Sequence, residues 1–377
     1  MSAIAPSRLE VDLDAYAHNL AFVRAKVPES CGIIAVVKAN AYGLGALPLA
    51  KRAQAEGAAM IGVATVQEGI ELRQGGIGGP ILVLVHPQED ALAPAVEHDL
   101  KLMVSNVAIA ERLGEIAHKR KKVAAVHCEI DTGMGRLGFN AENAPQKVLL
   151  LTRVSNVDVE GVATHFSSAN LTNDNYTANQ VRTFRQVLRQ LERNGIPFDT
   201  VHASNSAGIL SGEDAFFDFV RPGIITYGVW PNNGPPKSSP LRPVARWTSR
   251  VALVKEIPGG SSVGYERTYS PPAPMQAAIV PVGYADGYPL RLSNRGEVLV
   301  RGKRCPVRGA VSMDQIVVDV TGVRGVAPGD EVTLLGPSAG ETITVEELAQ
   351  KAETSPYEVL TGIGQRVQRV YINEKQP

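Results

Sequence analysis

Residues 33–65 read IIAVVKANAYGLGALPLAKRAQAEGAAMIGVAT, and their pattern decides the fold. An apolar, β-branched run (IIAVVK) is followed by an amphipathic stretch, Leu47–Glu56, and then by a second apolar run (MIGVAT). The alternation returns as PILVLV, KLMVS, VAAVHCEID, VEGVATHF, TVHASN and FVRPGIITYG, ending at Gly228. Helical patterns fill the gaps at Val66–Arg73, Val107–Lys119 and Asn179–Arg193. In the last of these, Val181, Phe184, Val187, Leu188 and Leu191 fall on one helical face. Strands that are apolar throughout need cover on both faces, as in a parallel sheet. Eight such units in about 200 residues is the arithmetic of an α/β fold of the (β/α)8 TIM type. An open doubly wound sheet usually stops at fewer strands.

Outward from this repeat the texture changes. An amphipathic segment, Leu13–Val27, precedes it with Asp12 or Asp14 available as a cap. Ser7–Val11 reads as extended and lies outside the repeat. Beyond Pro231 the stretch PNNGPPKSSP reads as a linker. Alternating strands follow at Val244–Glu256, Gln276–Val282, Glu297–Val300, Gln315–Val320 and Glu331–Leu335. One helix, Val345–Lys351, interrupts them, with Thr344 as its cap and Glu347 as a capping-box partner. The expected organisation is a barrel over residues 12–240 and a smaller, mainly-β domain over 241–377, joined by an N-terminal strand within 1–11.

Composition narrows the class. At 377 residues the chain is more than twice the ~150 usual for one domain. Lys+Arg and Asp+Glu balance at 38 each, so the electrostatic footprint of a nucleic-acid or anionic-membrane partner is missing. No apolar run approaches the ~18 residues of a membrane span, and the N-terminus lacks a secretory pattern. Cys31, Cys128 and Cys305 are scattered, which fits a reducing, cytoplasmic setting and gives no zinc frame. His18, His86, His98, His118, His127 and His202 show no ligand spacing, and no metal is expected.

In such a barrel, chemistry gathers at the C-terminal ends of the strands. Lys38 closes the first strand, Asp131 and Arg136 follow the fifth, and His165 ends the sixth. Asn205 and Ser206 end the seventh, and Arg221 falls inside the eighth. A lysine at the end of a buried strand is desolvated, which favours the neutral amine that can bond a carbonyl or pyridoxal phosphate. It could equally snorkel to the rim. Tyr42, Ser206 and the backbone at Gly223 could form a phosphate site, although Ser206 could also be the N-cap of Ala207–Leu210. His165 alone could be a polar strand cap, and Arg136 could be salt-bridged to Asp131. Arg221 is harder to dismiss, because a guanidinium inside a barrel must find a partner or water.

With these residues in view, the chain resembles the alanine racemases. The likeness runs in order through AVVKANAYG, DTGMGRLG, THF, HASNSAG, RPGIITYG, VGYERTY, PVGYADGY, VSMDQ and PYEVL. It implies pyridoxal 5'-phosphate (PLP) carried on Lys38, with Tyr42, Ser206, Gly223, Ile224 and Tyr357 at its phosphate. Arg136 would meet the phenolic oxygen and Arg221 the pyridine nitrogen, with His165 and Asn205 also against the cofactor. It further implies a head-to-tail homodimer in which Tyr265, Tyr284, Met313 and Asp314 of one subunit complete the site of the other. Lys38 and Tyr265 would then exchange protons on opposite faces of the substrate carbon, with His165, Arg221 and Asp314 in support. Arg136, Met313 and Tyr284 would contact the amino acid. A serine or broad-specificity racemase of the same fold is the alternative, since size alone separates alanine from serine only moderately.

Two departures from the family pattern stand out. Leu44 occupies a position where histidine is common, and Glu129 replaces a lysine that is usually carbamylated to brace the arginine. The expectation is that Glu129 supplies that negative charge itself.

Overall fold

The computed structural model describes residues 6–171, 175–196, 198–231 and 239–373. Eight parallel strands close into a barrel: Gly32–Val36, Met60–Val63, Ile81–Val83, Lys101–Val104, Ala124–Asp131, Val157–Ala163, Thr200–His202 and Phe219–Val220. Closure comes from two junctions. Phe219 pairs with Gly32, and Leu102–Val104 pair with Val126–Cys128. Helices flank the strands outside, among them Val66–Gln74, Val107–Lys119 and Tyr176–Arg193. Two further helices, Glu89–Glu97 and Ala144–Leu151, complete the outer layer.

The barrel is packed rather than hollow, as its size requires. Ile34, Met60, Leu82, Met103 and Ala163 form a small interior cluster, with Leu84 and Phe219 against it. The remaining interior is polar and carries the site. Small residues make the room: a Cβ on Gly32 would stand 2.3 Å from the Phe219 ring.

The second unit is a ten-stranded sheet, antiparallel except where Ser7–Asp12 runs parallel to Gln368–Ile372. Ser7–Asp12 also pairs with Ala245–Arg250, opposing Leu9 to Trp247. The expected single strand Val244–Glu256 is two, Ala245–Arg250 and Leu253–Ile257, because each half pairs with different neighbours. Thr344 caps Val345–Lys351 by accepting from Glu347 N at 3.1 Å. The Glu347 carboxylate does not turn back to close a capping box; Arg304 and Lys351 hold it instead. Most of the expected linker, residues 232–238, lies outside the described residues.

Candidate active site

Lys38 sits two residues past the first strand, on a turn of unusual hand. Ala39, Asn40, Ala41 and Tyr42 all have φ between 51° and 53°. Left-handed backbone costs roughly 1–2 kcal/mol for each residue with a Cβ, so the surroundings must impose it. They do so from both units. Glu68 Oε1 accepts from Ala39 N at 2.7 Å, and Asn40 Oδ1 accepts from Ala46 N at 2.8 Å. From the β domain, Arg369 Nε donates to Gly43 O at 3.0 Å. A Cβ on Gly43 would lie 2.6 Å from Leu360 O, so the two units close tightly on this turn. The turn brings both Lys38 and Tyr42 into one cavity of about 650 Å³ at the barrel mouth. Burial lowers the Lys38 pKa, and the charge of Arg136 adds to the effect; Glu68 opposes it.

Opposite Lys38, the cavity floor is Arg221. Its place is one residue beyond the eighth strand, not inside it, because Pro222 has no N–H to continue the ladder. Arg221 Nη2 donates to Thr164 O at 2.7 Å, Ala203 O at 2.8 Å and His165 Nδ1 at 3.2 Å. Nη1 donates to His202 Nδ1. Among the described residues Nε–H and the second Nη1–H make no hydrogen bond, which leaves donors for a molecule in the cavity. Burial pushes the guanidinium down to about 10, with Glu129 opposing and Arg136 assisting, so it stays charged at neutral pH.

At the other end, Ser206 is not a helix cap. Asn205 takes that role, accepting from Ala207 N at 3.1 Å and Gly208 N at 3.0 Å. Ser206 Oγ is therefore free to accept from Gly223 N at 2.9 Å. A Cβ on Gly223 would stand 2.5 Å from the Tyr42 hydroxyl, so glycine keeps a polar hollow open between them. Tyr357 closes this end, its ring edge-on to Tyr42 at 5.8 Å. It arrives on a helix, Pro356–Thr361, which Ser355 caps. Ile224 is buried in the core and does not line the cavity.

Asp131 does not pair with Arg136. Its carboxylate builds the following turn, accepting from Gly133 N at 2.9 Å, Met134 N at 2.8 Å and Gly135 N at 3.1 Å. Arg136 lines the cavity and makes no ion pair among the described residues. Glu129 also lines it and is buried, again without an ion pair among them. Burial raises its pKa against the opposing charges of Arg221 and Arg136. The charge of Arg136 therefore acts on Glu129 with no ion pair between them among the described residues.

Tyr265, Tyr284, Met313 and Asp314 are nowhere near this cavity in their own chain. They share a face of the β domain, where Tyr265 is 71% and Met313 52% exposed. Backbone bonds hold that face in register: Tyr284 N to Ser312 O at 3.1 Å and Ala285 N to Met313 O at 3.0 Å. A Cβ on Gly283 would collide with both carbonyls, at 2.2 Å and 2.3 Å. Arg366 ties the two segments together, meeting Asp314 at 2.8 Å and Asp286 at 3.2 Å.

Comparison with known proteins gives this arrangement a family. Residues 11–231 match the alanine racemase N-terminal domain, and residues 244–371 match the C-terminal domain. The chain belongs to the alanine racemase family. It is 39% identical over 370 residues to alanine racemase 2 of Caldanaerobacter subterraneus subsp. tengcongensis, covering 98% of this chain and 95% of that one. The alanine racemase of Clostridium difficile 630 superposes with a TM-score of 0.94 at 34% identity, covering 99% and 98% of the two chains. A third relative, the alanine racemase of Bartonella henselae with covalently bound pyridoxal phosphate, gives a TM-score of 0.88 at 30% identity over 98% and 100%. As a member of the alanine racemase family the chain is a PLP-dependent isomerase acting on alanine.

The cavity fits that cofactor. The hydroxyl-lined hollow at Gly223 suits a phosphate, Lys38 stands at the wall, and an Arg221 N–H left without a partner among the described residues would suit an acceptor on the cofactor. Sequence reasoning passed over His127 and His202, which bond to each other at 2.8 Å inside the barrel. Their signal was positional: each sits on a strand at an inward-facing place.

These buried rings make the stability of the fold depend on pH. Burial, then the charges of Lys101 and Arg221, pushes His127 down to about 3. Burial, then Arg221, Arg136 and Lys38, does the same to His165, and His202 lies well below its ordinary value. Unfolded, all three titrate near ~6.5. Below that pH the unfolded chain binds more protons, so the stabilisation present above ~6.5 is lost as pH falls towards 3. The slope is up to about 1.4 kcal/mol per pH unit for each histidine. Urea unfolding followed from about pH 7.5 to 5.5 should show the midpoint falling. A constant midpoint would mean that these rings are not held neutral.

Proposed function

We propose that this chain interconverts L- and D-alanine with two proton-carrying groups, Lys38 on one face of the substrate carbon and Tyr265 of a second copy on the other. The observation that carries the reading is the separation itself. Lys38 lines a cavity rich in basic groups, while the exposed Tyr265 of the same chain lies outside it. An open tyrosine on a shaped, polar face is suited to another subunit's barrel mouth. In this reading the barrel (12–240) carries PLP and the β domain (241–377, with strand 1–11) completes the partner's site.

PLP, when bound, supplies an electron sink that makes the Cα–H of an attached amino acid acidic. The protein's own groups do the rest. Tyr42, Ser206, Gly223 and Tyr357 hold the phosphate end, Arg136 the phenolic oxygen, and Asn205 steadies His165. Arg221 offers Nε–H to the ring nitrogen and keeps its own proton, so that nitrogen gains a hydrogen bond but no charge. This limits the sink and suits brief proton removal rather than longer-lived side reactions. The lowered Lys38 pKa favours the neutral amine that can take a proton at Nζ. Tyr265 exchanges its proton at the phenolic oxygen, and His165 and Arg221 of the cavity would stabilise its phenolate. Met313, Tyr284 and Arg136 bound the substrate, and Asp314 is fixed by Arg366 beside them.

A cytoplasmic, homodimeric enzyme feeding D-alanine to peptidoglycan completes the proposal. Three buried cysteines without disulfides support a reducing location. The test is incubation of the PLP-loaded enzyme with L-alanine in D2O. D-alanine should form with deuterium at Cα. Exchange with retained configuration would leave only one working base, and no exchange would redirect the search to serine.

A further inference from the structure

Behind the cavity the barrel interior holds an unbroken line of polar side chains, from His165 at the mouth through Arg221 and His202 to His127. Arg221 Nη2 reaches His165 Nδ1 at 3.2 Å, Arg221 Nη1 bonds His202 Nδ1, and His202 Nε2 lies 2.8 Å from His127 Nδ1. His127 and His202 are fully buried. The chemistry of the first member sets the direction of the whole line. A guanidinium has donors and no acceptor, so His202 Nδ1 must accept from Arg221. Neutral His202 then carries its proton on Nε2 and donates it to His127 Nδ1. That leaves the His127 proton on Nε2, a buried atom with no partner among the described residues.

The neighbouring strand is shaped around this ring. A Cβ on Gly161 would stand 2.5 Å from His127 Nδ1 and 2.8 Å from Cγ, so the sixth strand gives up its side chain there. An apolar side chain would fill the same space without stranding an N–H in the core. What only histidine provides is the acceptor at Nδ1. The charged groups facing the ring are Lys101, itself paired with Glu160, and Arg221; among the described residues neither ring has a carboxylate partner.

We infer that His127 is a positioning residue, which accepts from His202 Nε2 and thereby locks His202 as an acceptor that holds the Arg221 guanidinium in place. With Nη1 held by His202 and Nη2 by two carbonyls and His165, the guanidinium that lines the cavity cannot swing. The consequence for catalysis rests on the proposed role of Arg221 at the cofactor ring; the proton positions do not.

The two can be measured apart. In cofactor-free protein labelled with 15N-histidine, NMR should show both His127 and His202 protonated at Nε2 and bare at Nδ1. In H127L the His202 signal should become a mixture of tautomers, and in the PLP-loaded enzyme kcat should fall on the order of tenfold, the effect of one misplaced hydrogen bond. KM for alanine should move little, since no contact with the amino acid changes. H127Q, whose amide oxygen can accept from His202, should restore the Nε2–H tautomer and most of the rate. Should H127L fail to fold, the wild-type spectrum and H127Q still decide. A wild-type enzyme that racemises alanine while either ring carries its proton on Nδ1 overturns the inference and leaves the proposed function standing. So does an H127L enzyme in which His202 keeps one tautomer and full kcat.

Discussion

Replacing Tyr265 with Phe is expected to lower alanine racemisation by ~10²–10⁴-fold, the usual contribution of a positioned acid or base. The substitution removes one oxygen from a side chain 71% exposed in its own subunit, so the fold and cofactor binding should survive. What disappears is the proton carrier proposed for one face of the substrate carbon. Lys38 remains on the other, so in D2O one enantiomer should still exchange its Cα hydrogen with retained configuration. PLP content and unfolding midpoint are the controls. If the Phe variant racemised within a few-fold of wild type, Tyr265 would not be the second base.

Lys38→Ala should have the larger effect, taking activity at least ~10⁴-fold down, because two roles end together. The amine proposed to anchor the cofactor is gone, and so is the base proposed for its face. After borohydride reduction and denaturation, wild-type protein should keep PLP covalently and the variant should release it. Because Lys38 is half-buried beside Arg136 and Arg221, losing its amine also removes a source of like-charge repulsion. Stability should therefore hold or rise slightly, which separates a chemical defect from a folding one. A variant that retained covalent PLP would place the attachment elsewhere.

The barrel was legible because its signal is repeated. Eight apolar runs without alternation admit few architectures, and the helices with strong faces, such as Tyr176–Arg193, emerged within a few residues of expectation. Local chemistry was legible where side chains act near their own backbone, as with Asp12, which accepts from Asp14 N and Ala15 N. What stayed hidden depends on contacts between distant segments. Nothing in KANAY announces four left-handed residues, since none is glycine; Glu68, Asn40 and Arg369 impose the turn from elsewhere. Ser206 read as a cap because Asn205 was an equally good one, and only the approach of Gly223 shows which was used. Asp131 read as an arginine partner, yet three amides one turn away satisfy it first. The short helix carrying Tyr357 is too brief for periodicity to show.

The candidate site divides in the same way. Lys38, Arg136, His165, Asn205, Ser206, Arg221 and Gly223 could be grouped from strand-end positions alone, and the fold gathers all of them around one cavity. His127 and His202 escaped because their function is to hold another residue, which ligand spacing does not reveal. Tyr265, Tyr284, Met313 and Asp314 could be placed only by family likeness. In a single chain they form an exposed face, to which the proposal gives a purpose across a subunit boundary.

The central claim is that Lys38 and Tyr265 of different subunits make one site, and mixed dimers test it most directly. Lys38→Ala and Tyr265→Phe chains, each inactive alone, are co-expressed and purified together. Half the dimers are then mixed, and each mixed dimer holds one site with both an intact lysine and an intact tyrosine. About one quarter of wild-type activity should return. If the mixture stays as inactive as its components, the two residues serve within one chain or not at all, and the shared-site account is wrong.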